Sequence, residues 1–194
     1  QVEKINFNLK ELIENITISF NEFIQENNTK CLLTIDPSIT EYLKGDPTKL
    51  SQIVINLLNN AIKFSKNGSV WFTIKNLQES DETIKLHFEI KDNGIGIPLE
   101  KQDAIFDSFS QGSVEINRTY GGTGLGLSIV KKILELMDSN IHLSSESGKG
   151  STFTFELLFE KGQKEALKSA PITTLSNLSE KTILLVEDNK INQM

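Results

Sequence analysis

The stretch Asp46–Ser65, DPTKLSQIVINLLNNAIKFS, decides how the rest of the chain is read. Asp46 is a good N-cap and Pro47 suits the first helical position, so one helix is predicted across these residues. Leu50, Ile53, Val54, Leu57, Leu58, Ala61 and Ile62 recur at i, i+3, i+4 and i+7, the pattern of a stripe that faces a core. At roughly 100° per residue, Asn56, Asn60 and Lys63 form a second, polar stripe along the margin of the apolar one. Such a margin is either the solvated face of an amphipathic helix or one wall of a pocket. In a pocket, Asn oxygens can serve a hard cation such as Mg²⁺, and a Lys can meet a phosphate.

Composition narrows the classes around that helix. A chain of 194 residues, 38% hydrophobic and 24% charged, has globular proportions and room for one domain with a real core plus further segments. The formal net charge of −6 argues against a nucleic-acid surface, which needs clustered Lys and Arg. No apolar run approaches the roughly 20 residues of a membrane-spanning helix, and QVEKINFNLK at the start has no apolar signal-peptide core. The single Cys excludes an intrachain disulfide framework and suits a reducing compartment. Cys31 reads as a small core hydrophobe. Two His are too few for a His-rich metal site.

Working outward, Asn8 to Glu26 reads as one amphipathic helix and Cys31 to Ile35 as a short strand, with Asp36 to Gly45 a polar loop. The organising helix is expected to stop near Lys66-Asn67-Gly68. Ser69 to Leu77 and Thr83 to Lys91 alternate apolar and polar residues and read as a hairpin of half-buried strands. That alternation places His87 away from the core, and His142, between Ile141 and Leu143, likewise. Leu99 to Ile105 reads as a short helix, and Asn140 to Ser145 and Ser151 to Phe159 as two closing strands around the glycine turn SESGKG.

Two glycine-bearing stretches carry the chemistry. DNGIGIP, Asp92 to Pro98, follows a strand directly. Gly-x-Gly alone also describes an ordinary tight loop. Asp92 says more: a carboxylate at the end of an apolar strand needs a donor. The exocyclic amine of adenine is such a donor, whereas guanine presents an acceptor there. From Gly112 to Thr123 the chain loses periodicity, as a mobile lid does. It contains Arg118 and runs into GGTGLGLSIV, where Gly121, Gly122, Gly124 and Gly126 open a further helix. A glycine-rich loop at a helix start presents free N–H groups and the positive end of the helix dipole to an anion.

After Phe159 the composition changes. Glu160 to Glu180 is poor in large hydrophobes and reads as a linker. KTILLVEDNKINQM then shows an apolar run, Ile183 to Val186, followed by Glu187 and Asp188, the pattern of a buried parallel strand that delivers acids to a site at its carboxyl end.

NLLNNAIKFS, DNGIGIP, IFDSFSQ and GGTGLGL stand in one order, and together they resemble the catalytic ATP-binding domain of sensor histidine kinases, within the wider superfamily of heat-shock chaperone, gyrase-type and mismatch-repair ATPases. ILLVEDNKINQ looks like the first strand of a response-regulator receiver domain, which implies a hybrid kinase. The resemblance implies an α/β (α+β) two-layer sandwich, with helices on one face of a mixed sheet and a mobile ATP lid. It implies an ATP-binding catalytic domain over residues 1–160, a linker over 161–180 and the truncated start of a receiver over 181–194.

It implies ATP and Mg²⁺ as cofactors. Asn56 would ligate the metal, and Asn60 and Lys63 would lie near the phosphates. Phe64 would pack beside the adenine, Asp92 would bind its amine, and Gly94, Gly96 and Ile97 would shape the base pocket. Gly122, Thr123, Gly124, Leu125 and Gly126 would line the phosphate side, with Arg118 as a lid cation. The activity implied is transfer of the γ-phosphoryl to a His on a separate dimerisation domain, in a two-component phosphorelay. The family's phosphoacceptor His motif is absent from this sequence, so partners are expected in the His-bearing and receiver domains of the same parent. The isolated chain is expected to be a monomer without nucleic-acid or direct membrane contact. A cytoplasmic location is implied, although many parents in the family are anchored in a membrane. The rival readings are an ATP-binding regulatory module without kinase activity and a self-contained ATPase of the superfamily.

Overall fold

The computed structural model describes residues 2–107 and 125–163. In it Asp46 caps α3 (Pro47–Phe64), its Oδ1 accepting the Lys49 N–H at 2.9 Å. All seven apolar positions of the expected stripe are buried. They lie against the inward side chains of a seven-stranded sheet: Val70, Phe72 and Ile74 of β4 (Ser69–Glu79), Ile84 to Ile90 at every second residue of β5 (Thr83–Asp92), and Phe153 to Phe159 likewise in β7 (Gly150–Lys161). Phe88 and Phe155 stack at the centre, 4.7 Å between centroids. Leu9, Ile13 and Ile16 of α1 (Leu9–Ser19), and Val130, Ile133 and Leu134 of α4 (Gly126–Leu136), complete the helical layer.

The other strands are β1 (Ile5–Asn8), β2 (Lys30–Ile35), β3 (Tyr42–Gly45) and β6 (Ile141–Glu146). The order is β1-β3-β7-β5-β4-β2, with β6 paired to β7. β2 runs parallel to β4 and every other pair is antiparallel. A parallel pair needs a crossover between its strands, and α3 lies in that connection. The result is the expected mixed sheet with its helices on the apolar face. The outer face carries Trp71, Lys75, His87 and Glu156, so both His residues stand away from the helices, His87 with its Nδ1 3.8 Å from Glu156. Cys31 packs against the edge of the core, and burial pushes its thiol pKa up.

The local differences have identifiable causes. The expected helix from Asn8 to Glu26 is divided at Phe20 into α1 and α2 (Asn21–Glu26). Before the break, the hydroxyls of Thr17 and Ser19 donate to the carbonyls of Ile13 and Ile16, back-bonding that competes with the helical ladder and bends helices. The expected loop from Asp36 to Gly45 contains β3, and Ile5–Asn8 is a strand as well. These short strands pair with each other, and β3 with the end of β7, so their order comes from distant partners. The expected helix from Leu99 to Ile105 is two 3-10 turns, Leu99–Lys101 and Ala104–Phe106.

Asp46 ties this frame together. It is 1% exposed, and besides capping α3 it accepts from the Glu3 N–H and from Lys49 Nζ, each at 3.0 Å. Burial alone would raise its carboxyl pKa; these donors outweigh burial and hold it below the usual range. A depressed carboxyl contributes stability that is present above its unfolded pKa and lost as pH falls through the folded one. Asp46→Ala should therefore cost about 2 kcal/mol in urea unfolding at pH 7. The cost should shrink as pH drops below about 4. A cost that does not change with pH would show that the ionised carboxylate is not the stabilising species.

Candidate functional site

β5 ends on Asp92, which is 5% exposed. Its Oδ1 accepts the Gly94 N–H at 2.8 Å. Burial raises the Asp92 carboxyl pKa above the usual range; the N–H groups of Gly94 and Ser151 and the Ser65 hydroxyl oppose that without cancelling it. The two oxygens of a carboxylate offer about four lone-pair sites, so these donors leave room for a further one in a low-dielectric setting.

The loop after Asp92 is clamped from both sides. On one side the Ile95 N–H donates to the Phe64 carbonyl at the end of α3, at 3.2 Å. On the other, the Gly148 N–H donates to the Ile95 carbonyl at 2.7 Å, and the Ile97 N–H to Ser145 Oγ at 2.8 Å. Gln102 Nε2 bridges the carbonyls of Ile97 and Ser145, at 2.9 and 3.0 Å. Gly96 has φ +65°, and a Cβ there would run into the Glu146 carbonyl oxygen. The glycine is thus required by close backbone approach as well as by the turn.

The polar edge of α3 leads from this loop to the start of α4. Phe64 and Lys63 are half-buried, with Lys63 Nζ 5.1 Å from the Phe64 ring centroid, and burial lowers the ammonium pKa. Asn60 and Asn56, also half-buried, follow on the same edge. Asn56 Nδ2 donates to the Gln52 carbonyl at 2.7 Å. That bond orients the amide, and Oδ1 lies against Gly126, so near that a Cβ on Gly126 would come within 2.9 Å of it. Leu125 is the N-cap residue of α4 and Gly126 its first residue. From Asn56 to Lys63 the edge spans about 10 Å at the helical rise. Arg118, Gly122, Thr123 and Gly124 lie outside the described residues, as do the lid, the linker and the receiver-like tail.

The structure thus joins Asp92, Gly94, Gly96 and Ile97 to Phe64 at one end of the edge, and Asn56 to Leu125 and Gly126 at the other. It also adds residues that sequence reading missed: Ser65, Gln102, Ser145, Gly150 and Ser151, which surround Asp92 and its loop. Ser145 and Ser151 read only as strand ends and SESGKG as the turn between them, because a small residue beside a glycine has no periodicity to betray its neighbours. A cavity of about 670 Å³ lined by Lys4, Lys44, Met137, His142 and Glu156 contains none of these residues, so chemistry rather than hollow size marks this site.

The sequence model of the histidine kinase-, DNA gyrase B-, and HSP90-like ATPases matches residues 45–161, the span from the end of β3 to the end of β7. The chain belongs to this family. Among the relatives of this histidine kinase-like ATPase domain is the sensor histidine kinase AruS of Pseudomonas aeruginosa, 36% identical over 98% of the chain and 19% of AruS. Another is the autoinducer 2 sensor kinase/phosphatase LuxQ of Vibrio cholerae, 34% identical over 99% of the chain and 23% of LuxQ. The chain therefore spans about a fifth of the length of the curated relatives it matches. The catalytic domain of histidine kinase ThkA, in a nucleotide-free form, superposes with a TM-score of 0.61 at 30% identity over 80% of this chain and 95% of that one. Full-length ShkA in complex with AMPPNP shares the fold, with a TM-score of 0.71 at 23% identity over 84% and 32%.

Proposed function

We propose that this domain binds Mg²⁺-ATP and presents its γ-phosphoryl to a histidine on a separate dimerisation domain of the same parent protein, as one step of a two-component phosphorelay. The observation that carries the reading is Asp92, a buried carboxylate at a strand end with acceptor capacity facing a clamped glycine loop. Asp92 would take the adenine amine, Phe64 would pack beside the ring, and Gly94, Gly96 and Ile97 would form the base pocket. Asn60 and Lys63 would lie near the phosphates. Arg118, Gly122, Thr123, Gly124, Leu125 and Gly126 would close over them. The names of the relatives and the four ordered motifs support this reading.

Asn56 fits a magnesium role. Its amide hydrogen is engaged by Gln52, which leaves the oxygen free to face the start of α4. Among the described residues no group of three or more His, Cys, Asp or Glu could hold an ion. Mg²⁺ takes one or two protein oxygens together with substrate phosphates and water, so a single Asn oxygen is within its usual protein contribution. Bound there, the ion would neutralise phosphate charge, while the chain's own contribution is positioning. Both His residues lie on the far face of the sheet from α3, so the acceptor His belongs elsewhere in the parent. β7 runs on through Lys161, into the stretch expected to be linker; we read the residues after it, to 180, as a linker and 181–194 as the start of a receiver domain. The domain would act in the cytoplasm, as a monomer when isolated.

Calorimetric titration tests the proposal. ADP should bind, and GDP should bind at least about 100-fold more weakly, because a buried polar contact discriminates by leaving the wrong partner unpaired. Mg²⁺ should strengthen ADP binding in the parent chain and have little effect in Asn56→Ala. Equal affinity for ADP and GDP, or undiminished Mg²⁺ sensitivity in Asn56→Ala, would remove these assignments.

A further inference from the structure

Ser65 closes α3, and its backbone is fixed at three points. Its N–H donates to the Ile62 carbonyl at 3.2 Å, and its carbonyl accepts from Gly68 N–H at 2.8 Å and from Thr29 Oγ1 at 3.0 Å. The residue is 1% exposed. Its side chain lies against the glycine loop: a Cβ on Gly94 would come within 2.9 Å of Ser65 Oγ. Among the described residues the hydroxyl meets no acceptor in ordinary hydrogen-bond geometry. A buried hydroxyl without a partner is costly and unusual, and calls for an explanation.

We propose that the Ser65 hydroxyl is a positioning donor that holds the Asp92 carboxylate in its acceptor form at the base end of the site. The inference rests on the nucleotide reading above. Asp92 is the group that the hydroxyl can serve: Ser65 Oγ lies beside Gly94, whose N–H already donates to Asp92 Oδ1 at 2.8 Å, and Ser65 is among the groups that favour the charged carboxyl against burial. The others come from the loop, Gly94 N–H, and from β7, Ser151 N–H. No charged side chain from α3, β7 or the loop is among the causes that set its ionisation. Among the described residues, the groups that favour the charged form of Asp92 are these neutral donors. That charge matters because a protonated Asp92 offers an O–H where the adenine amine needs an acceptor.

The test follows the Asp92 carboxyl directly, by ¹³C NMR of aspartate-labelled, nucleotide-free chain, with the resonance assigned by its loss in Asp92→Asn. Ser65→Ala should raise the titration midpoint of Asp92 by about one pH unit. Ser65→Thr should restore it. Ser65→Cys, which keeps the size with a weak donor, should behave as Ala does and carries the test if Ser65→Ala does not fold. ADP titrations should show the same displacement. Below the parent's midpoint the affinity of Ser65→Ala falls about tenfold, and well above both midpoints the two agree within about twofold. A purely structural role would instead lower affinity equally at every pH. An unmoved Asp92 midpoint, or a loss independent of pH, overturns the proposal even if ADP binding persists. A parent chain whose Asp92 responds to Ser65 as expected but which binds no ADP overturns the nucleotide reading and leaves the Ser65–Asp92 pairing standing.

Discussion

Asp92→Asn should lower ADP affinity about 30- to 100-fold, the order of a lost hydrogen bond to a charged group. The same change should narrow the ADP:GDP ratio, because an Asn amide can donate to the guanine oxygen that the carboxylate repels. Stability should move the other way. Burial raises the Asp92 carboxyl pKa in the folded chain. A raised group contributes stability that is full below its unfolded pKa, about 3.9, and that is lost as pH climbs through the folded value. Asn does not titrate, so it carries no such loss. The unfolding free energy of nucleotide-free Asp92→Asn, relative to the parent, should therefore rise between pH 4 and pH 7 in urea titrations. Undiminished ADP affinity would remove Asp92 from base recognition. A stability difference that is flat with pH would show that Asp92 ionises without hindrance.

Gly150→Ala is expected to have the largest effect on the fold. Gly150 has φ +103°, outside the left-handed region that other residues tolerate, and a Cβ there would strike the Asp92 carbonyl oxygen. Strain and collision together should cost about 3–4 kcal/mol. Gly148 is the internal control. It also has a positive φ, +81°, but a Cβ on it meets nothing within 4 Å. Gly148→Ala should therefore cost only about 1–2 kcal/mol, the backbone contribution. Denaturant unfolding of the two variants separates the effects, and equal losses would mean that the contact of β7 with Asp92 is looser than described. Because Gly150 sits directly against the backbone of Asp92, Gly150→Ala should shift that residue and also weaken ADP binding, whereas Gly148→Ala should leave it nearly unchanged.

The two substitutions act at one junction by different routes. Asp92 was legible from DNGIGIP because a charge ending an apolar run breaks a local pattern. Gly150 was not: in SESGKG it looks like any turn glycine, and its φ and its neighbour become visible only once β7 lies beside β5. Ser65 is a similar case. As the last letter of NLLNNAIKFS it reads as a helix end, and only the fold brings its hydroxyl beside the glycine loop that follows Asp92.

The sequence by itself determined α3, with its cap at Asp46 and its buried stripe from Leu50 to Ile62, and the hairpin of β4 and β5. It also determined that Asn56, Asn60 and Lys63 share one edge of α3. These features depend on helical and strand periods and on capping chemistry, which act between residues a few positions apart. Tertiary structure alone decided that Ile5–Asn8 and Tyr42–Gly45 are strands. It also decided that Ser65, Ser145, Gly150 and Ser151 close around Asp92 and its loop. Those outcomes rest on contacts between residues far apart in the chain. There, burial and the need to pair every buried polar group outweigh local preference, and no short-range pattern records the partner.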